Sequence, residues 1–141
     1  MPHAENTVTI NRSAADVFAF LADGENAKQW WPGIVEIKKV SGEGVGATYK
    51  QTLEGGGRSF AGDYRVTEFE PNRLIAFESI AGPVRPRGRY VLNEHDGSTT
   101  VSFILDAEVG GLMMLTVAGM IEKGMQAEVN ALPQLKTVLE A

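Results

Sequence analysis

The spacing of apolar positions changes twice along the chain. Thr7-Val8-Thr9-Ile10-Asn11 alternates as a short strand, and Ser13-Ala14-Ala15-Asp16 then reads as a helix start. The Ser13 hydroxyl can cap the N–H of position 16, and Asp16 suits the positive end of the helix dipole. Val17, Phe18 and Leu21 form the buried stripe of this helix, and Gly24 stops it. A second short helix carries Ala27 to Trp31 and ends at Pro32. From Ile34 to Val109 the pattern is that of strands punctuated by Gly, Pro, Asn and Asp, predicted over 34–41, 47–54, 58–69, 73–81, 85–93 and 99–108. Beyond Leu112 helical spacing returns, with Met114, Ala118, Ile121, Met125, Val129, Leu132, Leu135 and Leu139 three or four residues apart. Pro133 lies inside this last pattern and predicts a kink or break, since its ring removes the bond to the carbonyl of Val129. The expected order is one strand, two short helices, six strands and one long helix, in a single domain over residues 1–141. Strands joined by short turns are antiparallel, and a sheet with one apolar face needs the long helix as its cover.

Turn positions set which residues face one another, because side chains in a strand alternate with a period of two. Centring a hairpin on Asp96-Gly97 places Leu92 opposite Val101, Tyr90 opposite Phe103 and Gly88 opposite Leu105. The other face then pairs Arg87 with Asp106 and Arg85 with Glu108. The turn at Glu70-Pro71-Asn72-Arg73 sets Tyr64 against Ser79, Val66 against Phe77 and Arg65 against Glu78. Around Gly55-Gly56-Gly57, Tyr49 faces Gly62 and Gln51 faces Phe60. The three hairpins agree on an inner face that is aromatic, carries several hydroxyls and one amide, and is almost uncharged.

Composition narrows the function classes. Thirteen Lys and Arg against eighteen Asp and Glu give a net charge of −5. That balance argues against nucleic acid or an anionic membrane surface as partner. The chain has no cysteine, which excludes disulfides, iron–sulfur clusters and thiolate zinc sites and fits a cytoplasmic setting. Met1 to Asn6 is polar, without the apolar core of a signal peptide, and no apolar run is long enough to span a bilayer. His3 and His95 stand alone, so no metal is expected. The glycine clusters connect strands rather than open helices, which reads as turns and not as phosphate cradles.

Several segments carry a family resemblance. They are Ser13-Ala14-Ala15-Asp16-Val17-Phe18-Ala19-Phe20-Leu21, Trp30-Trp31-Pro32-Gly33-Ile34, and Gly42-Glu43-Gly44-Val45-Gly46-Ala47-Thr48-Tyr49. Val66-Thr67-Glu68-Phe69-Glu70-Pro71, Gly97-Ser98-Thr99-Thr100-Val101 and the helix ending in Leu135-Lys136 complete the set. In this order they resemble the START-like (SRPBCC) superfamily, and within it the bacterial polyketide cyclase/dehydrase-like subgroup. The resemblance implies an α+β helix-grip fold, in which a curved antiparallel seven-stranded sheet wraps a long C-terminal helix and two short helices follow strand 1. It further implies a cavity between sheet and helix for a hydrophobic or aromatic small molecule, lipid or polyketide-like. Such a superfamily hosts binders, carriers and enzymes on one scaffold. A cyclase or dehydratase without metal or nucleotide cofactor is therefore an alternative, as is a non-catalytic accessory subunit docked on a partner enzyme or paired as a homodimer.

The residues expected to meet a ligand are Trp30, Tyr49, Gln51, Phe60, Tyr64, Phe77, Ser79, Tyr90 and Phe103 from the sheet side, and Met114, Ala118, Ile121 and Met125 from the helix. Methionines Met113, Met114, Met120 and Met125 suit a surface that accepts varied apolar shapes. Gly119 and Gly124 weaken the helix unless close approach or open volume is needed there. One of Trp30 and Trp31 is expected at the cavity mouth. Buried hydroxyls need a partner, which a ligand or water can supply. Glu68 shares the inward parity of Tyr64 and Val66 and is the single carboxylate candidate for acid/base work.

Overall fold

A computed structural model describes every residue except Met1, Gly56, Gly82, Pro83 and residues 112–115. Met113 and Met114 lie outside the described residues. Strand β1 (His3–Ile10) is followed by helix α1 (Ala14–Ala22) and a 3-10 helix (Gly24–Gln29). The sheet continues through β2 (Ile34–Ser41), β3 (Thr48–Gly55), β4 (Arg58–Ala61), β5 (Tyr64–Glu70), β6 (Leu74–Ser79), β7 (Arg87–His95) and β8 (Ser98–Asp106). Two helices close the chain, α2 (Ala118–Asn130) and α3 (Leu132–Glu140). The strand order is β1-β8-β7-β6-β5-β3-β2, all antiparallel, with β4 paired to β3 off this path. The result is a curled antiparallel sheet, seven strands along the continuous path with β4 beside β3, around a C-terminal helical segment, the helix-grip architecture.

Local chemistry explains the boundaries. The Ser13 hydroxyl accepts the Asp16 N–H at 3.1 Å and starts α1, which buries Val17, Phe18 and Leu21. Asp96 and Gly97 both hold positive φ (52° and 83°), the backbone a two-residue hairpin turn requires, and His95 pairs with Ser98 across it. The pairings of Tyr90 with Phe103 and Gly88 with Leu105 follow from this turn. Val101, Phe103 and Leu105 face inward and are at most 2% exposed. Gly88 is needed there, because an added Cβ would collide with the Phe77 ring and lie 2.8 Å from Leu105.

Outside, the ion pairs partly follow the expected register. Arg65 and Glu78 are paired at 2.5 Å, both largely exposed. Arg87 lies opposite Asp106 in the ladder, but its guanidinium reaches Glu108 at 3.8 Å, and Asp106 binds the His3 ring at 2.5 Å. The expected Arg85–Glu108 pairing therefore gives way to Arg87, because β7 begins at Arg87 and the ladder does not extend to position 85.

Two further expectations are corrected. The predicted strand 58–69 is two strands: it breaks at Gly62-Asp63, where the Asp63 carboxylate accepts the Gln51 N–H at 3.2 Å and β3 changes partner from β4 to β5. The Gly-rich turn pairs Gly55 with Arg58, so Phe60 faces Leu53 rather than Gln51. The long C-terminal helix breaks at Ala131, as Pro133 predicts. Pro133 occupies the first turn of α3, where its missing N–H removes no intrahelical bond.

Helices α2 and α3 cover the inner face over β1, and α2 also reaches β8. Met125, Val129, Leu132 and Leu135 form their buried stripe and join the core of Val17, Phe18, Leu92, Val101 and Phe103.

Candidate functional site

A cavity of about 140 Å³ opens between the inner face of the sheet, the end of α1 with the 3-10 helix, and α2. Its wall is a continuous run of rings. Tyr49 of β3 stacks on Tyr64 of β5 at 4.9 Å, and Tyr64 leans on Phe77 of β6 at 5.3 Å. Phe77 lies 6.1 Å from Tyr90 of β7, which stacks on Phe103 of β8 at 4.4 Å. Trp30 closes this arc edge-on, 6.4 Å from Tyr90. Such offset and edge geometries are the favoured ones for aromatic pairs. Alternation along the strands puts these rings on one face, and the antiparallel register aligns them.

Hydrogen bonding divides the polar groups into two sets. The Tyr49 hydroxyl accepts the Gly24 N–H at 3.1 Å and donates to the Ala22 carbonyl, so it fastens the end of α1 to the sheet. Gly24 allows that approach, since a Cβ there would strike the Tyr64 hydroxyl. The Gln51 amide donates to the Gly62 carbonyl at 3.2 Å. In contrast, the hydroxyls of Tyr64 and Tyr90 and the carboxyl of Glu128 line the cavity without a hydrogen-bond partner among the described residues. Burial pushes the hydroxyls of Tyr64 and Tyr90 well up from their usual range, with the nearby Glu128 charge adding to both. Burial alone pushes the Glu128 carboxyl from 4.5 up to about 8. Burial thus favours its protonated form.

The cavity gathers Trp30, Tyr49, Gln51, Tyr64, Phe77 and Tyr90 as expected from the sequence, and both Trp30 and Trp31 reach it. The other expected ligand residues lie elsewhere. Phe103 and Met125 are core, at 0% and 6% exposure, and Ile121 packs against that core. Ala118 lies at the start of α2, away from the lining. Phe60 is 53% exposed because β4 lies beyond the curl of the sheet, out of reach of the covering helices. Ser79 donates its hydroxyl to the carbonyls of Asp63 and Ala81 at the strand end and does not reach the cavity. Met114 lies outside the described residues. Gly119 and Gly124 are exposed, with open space where a Cβ would stand.

Glu68 is exposed and does not line the cavity. The β5–β6 turn has three residues, with Asn72 at φ 64°, and a bulge between Val66 and Glu68 restores the register beyond it. The bulge turns Phe69 inward against Phe18 and Glu68 outward. The interior carboxyl is instead Glu128. Its sequence signal was its place between Met125 and Leu132, three residues after one buried position and four before the next.

Among the described residues no helix is long and apolar enough to cross a membrane. Known structures share this fold at low identity. TTHA0849 from Thermus thermophilus is similar with a TM-score of 0.84 at 18% identity, over 98% of this chain and 97% of that one. The Zhui aromatase/cyclase from Streptomyces sp. R1128 is similar with a TM-score of 0.72 at 16% identity, over 98% and 93%. A START superfamily protein from Mycobacterium smegmatis is similar with a TM-score of 0.72 at 21% identity, over 98% and 97%. Among curated proteins none matches the sequence. The model of the family described as polyketide cyclase / dehydrase and lipid transport matches residues 1–140, nearly the whole chain, and the protein belongs to that family.

Proposed function

We propose that this protein binds a small aromatic or apolar molecule in the cavity between sheet and helix α2. The observation that supports the reading is an aromatic wall interrupted by three half-buried polar groups without hydrogen-bond partners among the described residues, Tyr64, Tyr90 and Glu128. Unpartnered polar groups in an apolar site are costly, and a ligand that bonds to them recovers that cost. Size limits the ligand. A volume of about 140 Å³ is close to the ~150 Å³ that holds one benzene ring, so a single-ring compound fits better than a multi-ring polyketide or a full lipid. A cytoplasmic setting belongs to the same proposal and rests on the cysteine-free sequence. Native mass spectrometry of protein purified without denaturation should retain a small apolar adduct and also reads a homodimer or docked enzyme. A thermal-shift panel of single-ring compounds should raise the melting temperature. If no compound stabilises the protein and no adduct is retained, the binding reading fails.

A second reading is an acid/base enzyme of the cyclase or dehydratase type. It is favoured by Glu128, whose carboxyl titrates near neutrality as a proton-transfer group must. Turnover lost in Glu128→Gln with ligand binding retained would establish it.

A further inference from the structure

The charged residues around the cavity are all of one sign. Asp23, Glu43 and Glu128 line it, and no Lys, Arg or His does. Two of the three are already engaged. The Asp23 carboxylate accepts the Glu25 N–H at 3.1 Å and starts the 3-10 helix, while Glu43 is paired with Lys39 at 2.7 Å. Among the described residues Glu128 has no cation, and the groups that face it from the sheet are the neutral phenols of Tyr64 and Tyr90. From β1, the element packed against α2 on its other side, Asn6 bonds to the Val129 carbonyl and the His3 ring is held by Asp106. A half-buried carboxyl beside an aromatic wall is stabilised by a proton or a cation.

The aromatic wall favours the cation. Ring faces attract ammonium groups, and enclosure strengthens the attraction. A primary ammonium has three N–H donors and no acceptor. Tyr64, Tyr90 and Glu128 offer oxygens to the same cavity without other partners. A neutral alcohol or phenol offers only a single donor to these oxygens.

Building on the binding function proposed above, we infer that the ligand is a small single-ring molecule bearing a protonated amine, which seats its ammonium against Glu128 inside the ring of Tyr64, Tyr90 and Trp30. Burial favours the protonated form of the free carboxyl. Seating an ammonium there ionises it and releases that proton to solvent, while the amine keeps its own.

Benzylamine and benzyl alcohol, alike in size and shape, separate the possibilities when titrated calorimetrically into wild type and Glu128→Gln. Wild type should prefer benzylamine by roughly ten- to a hundredfold, the range of a charge-assisted hydrogen bond. Its affinity should rise from about pH 6 to about pH 8, and the heat near pH 7 should vary with the buffer as nearly one proton is released. Glu128→Gln should lose the pH dependence and bind benzylamine and benzyl alcohol within about twofold of one another. Benzyl alcohol bound as tightly as benzylamine by wild type, or a preference unchanged in Glu128→Gln, overturns the amine assignment and leaves the binding function standing. If neither compound binds wild type, and no other single-ring compound stabilises it, both readings fall. The pH dependence of wild type decides the matter even if the variant folds poorly.

Discussion

Replacing Glu128 with Gln keeps the side chain's shape and removes its titration, so the comparison isolates what burial does to one carboxyl. Between 4.5 and about 8, the folded protein holds a proton that the unfolded chain has released. Stability therefore falls as pH rises through this window, by up to about 1.36 kcal/mol per pH unit. Across the interval from 4.5 to about 8 the full effect is roughly 5 kcal/mol, and water in the cavity lowers it, so a difference of roughly 2–5 kcal/mol is expected. Other perturbed groups act in both proteins and cancel. His3, raised by its bond to Asp106, stabilises at low pH and loses that contribution as pH climbs through its raised value. Glu140, lowered by the Asn11 N–H and Lys136, contributes at higher pH and loses its part in acid. Urea unfolding at about pH 5 and about pH 8.5 measures the difference. The two proteins should be similar in acid, and Glu128→Gln should be the more stable in base. Parallel stability profiles would refute the reasoning, because they would mean that the Glu128 carboxyl is solvated.

Gly88→Val forces a side chain into Phe77 and Leu105, and calorimetric melting should show a loss of at least roughly 1–3 kcal/mol. Gly124→Ala places a methyl in open space on α2, so the melting temperature should rise with a gain of about 1 kcal/mol. Pro133→Ala acts at the first turn of α3, where proline is already suited. Stability by urea unfolding should fall by less than about 1 kcal/mol, whereas a large gain would mean that α2 and α3 can merge. Arg65→Ala removes an exposed ion pair and should cost less than about 1 kcal/mol, with the difference vanishing in high salt.

The fold was legible because its turns carry specific chemistry. Asp96-Gly97 admits one centre, and the β7–β8 register follows from it residue by residue. Three consecutive glycines at 55–57 admit several centres, so the β3–β4 pairing came out two residues away; a shift of two preserves the face, but not how far Phe60 lies from the covering helices. Glu68 was misplaced because an odd-length turn and a bulge cancel in the distant register and reverse parity only between them. The aromatic half of the site was readable from alternation, which placed Tyr49, Tyr64, Phe77 and Tyr90 on one face. Glu128 was not, since a charged residue beside an apolar helical stripe is ordinarily solvated, and only the packing of α2 on the sheet encloses it.

If the cavity binds the proposed ligand, the division of the C-terminal segment at Ala131 bears on how that ligand would leave. Helix α3 is fixed at both ends, with Leu132 and Leu135 fully buried, the Lys136 ammonium on the Thr9 carbonyl and the Glu140 carboxylate on the Asn11 N–H. Helix α2 has no side-chain cap, two exposed glycines, and only Met125 and Val129 buried. Its amides should exchange with deuterium through local opening, while those of α3 and β8 wait for the whole domain to unfold. The lifetime of the proposed complex would then follow the fraying of one poorly capped helix rather than the stability of the protein, so exchange rates in α2 and ligand dissociation rates should rise and fall together.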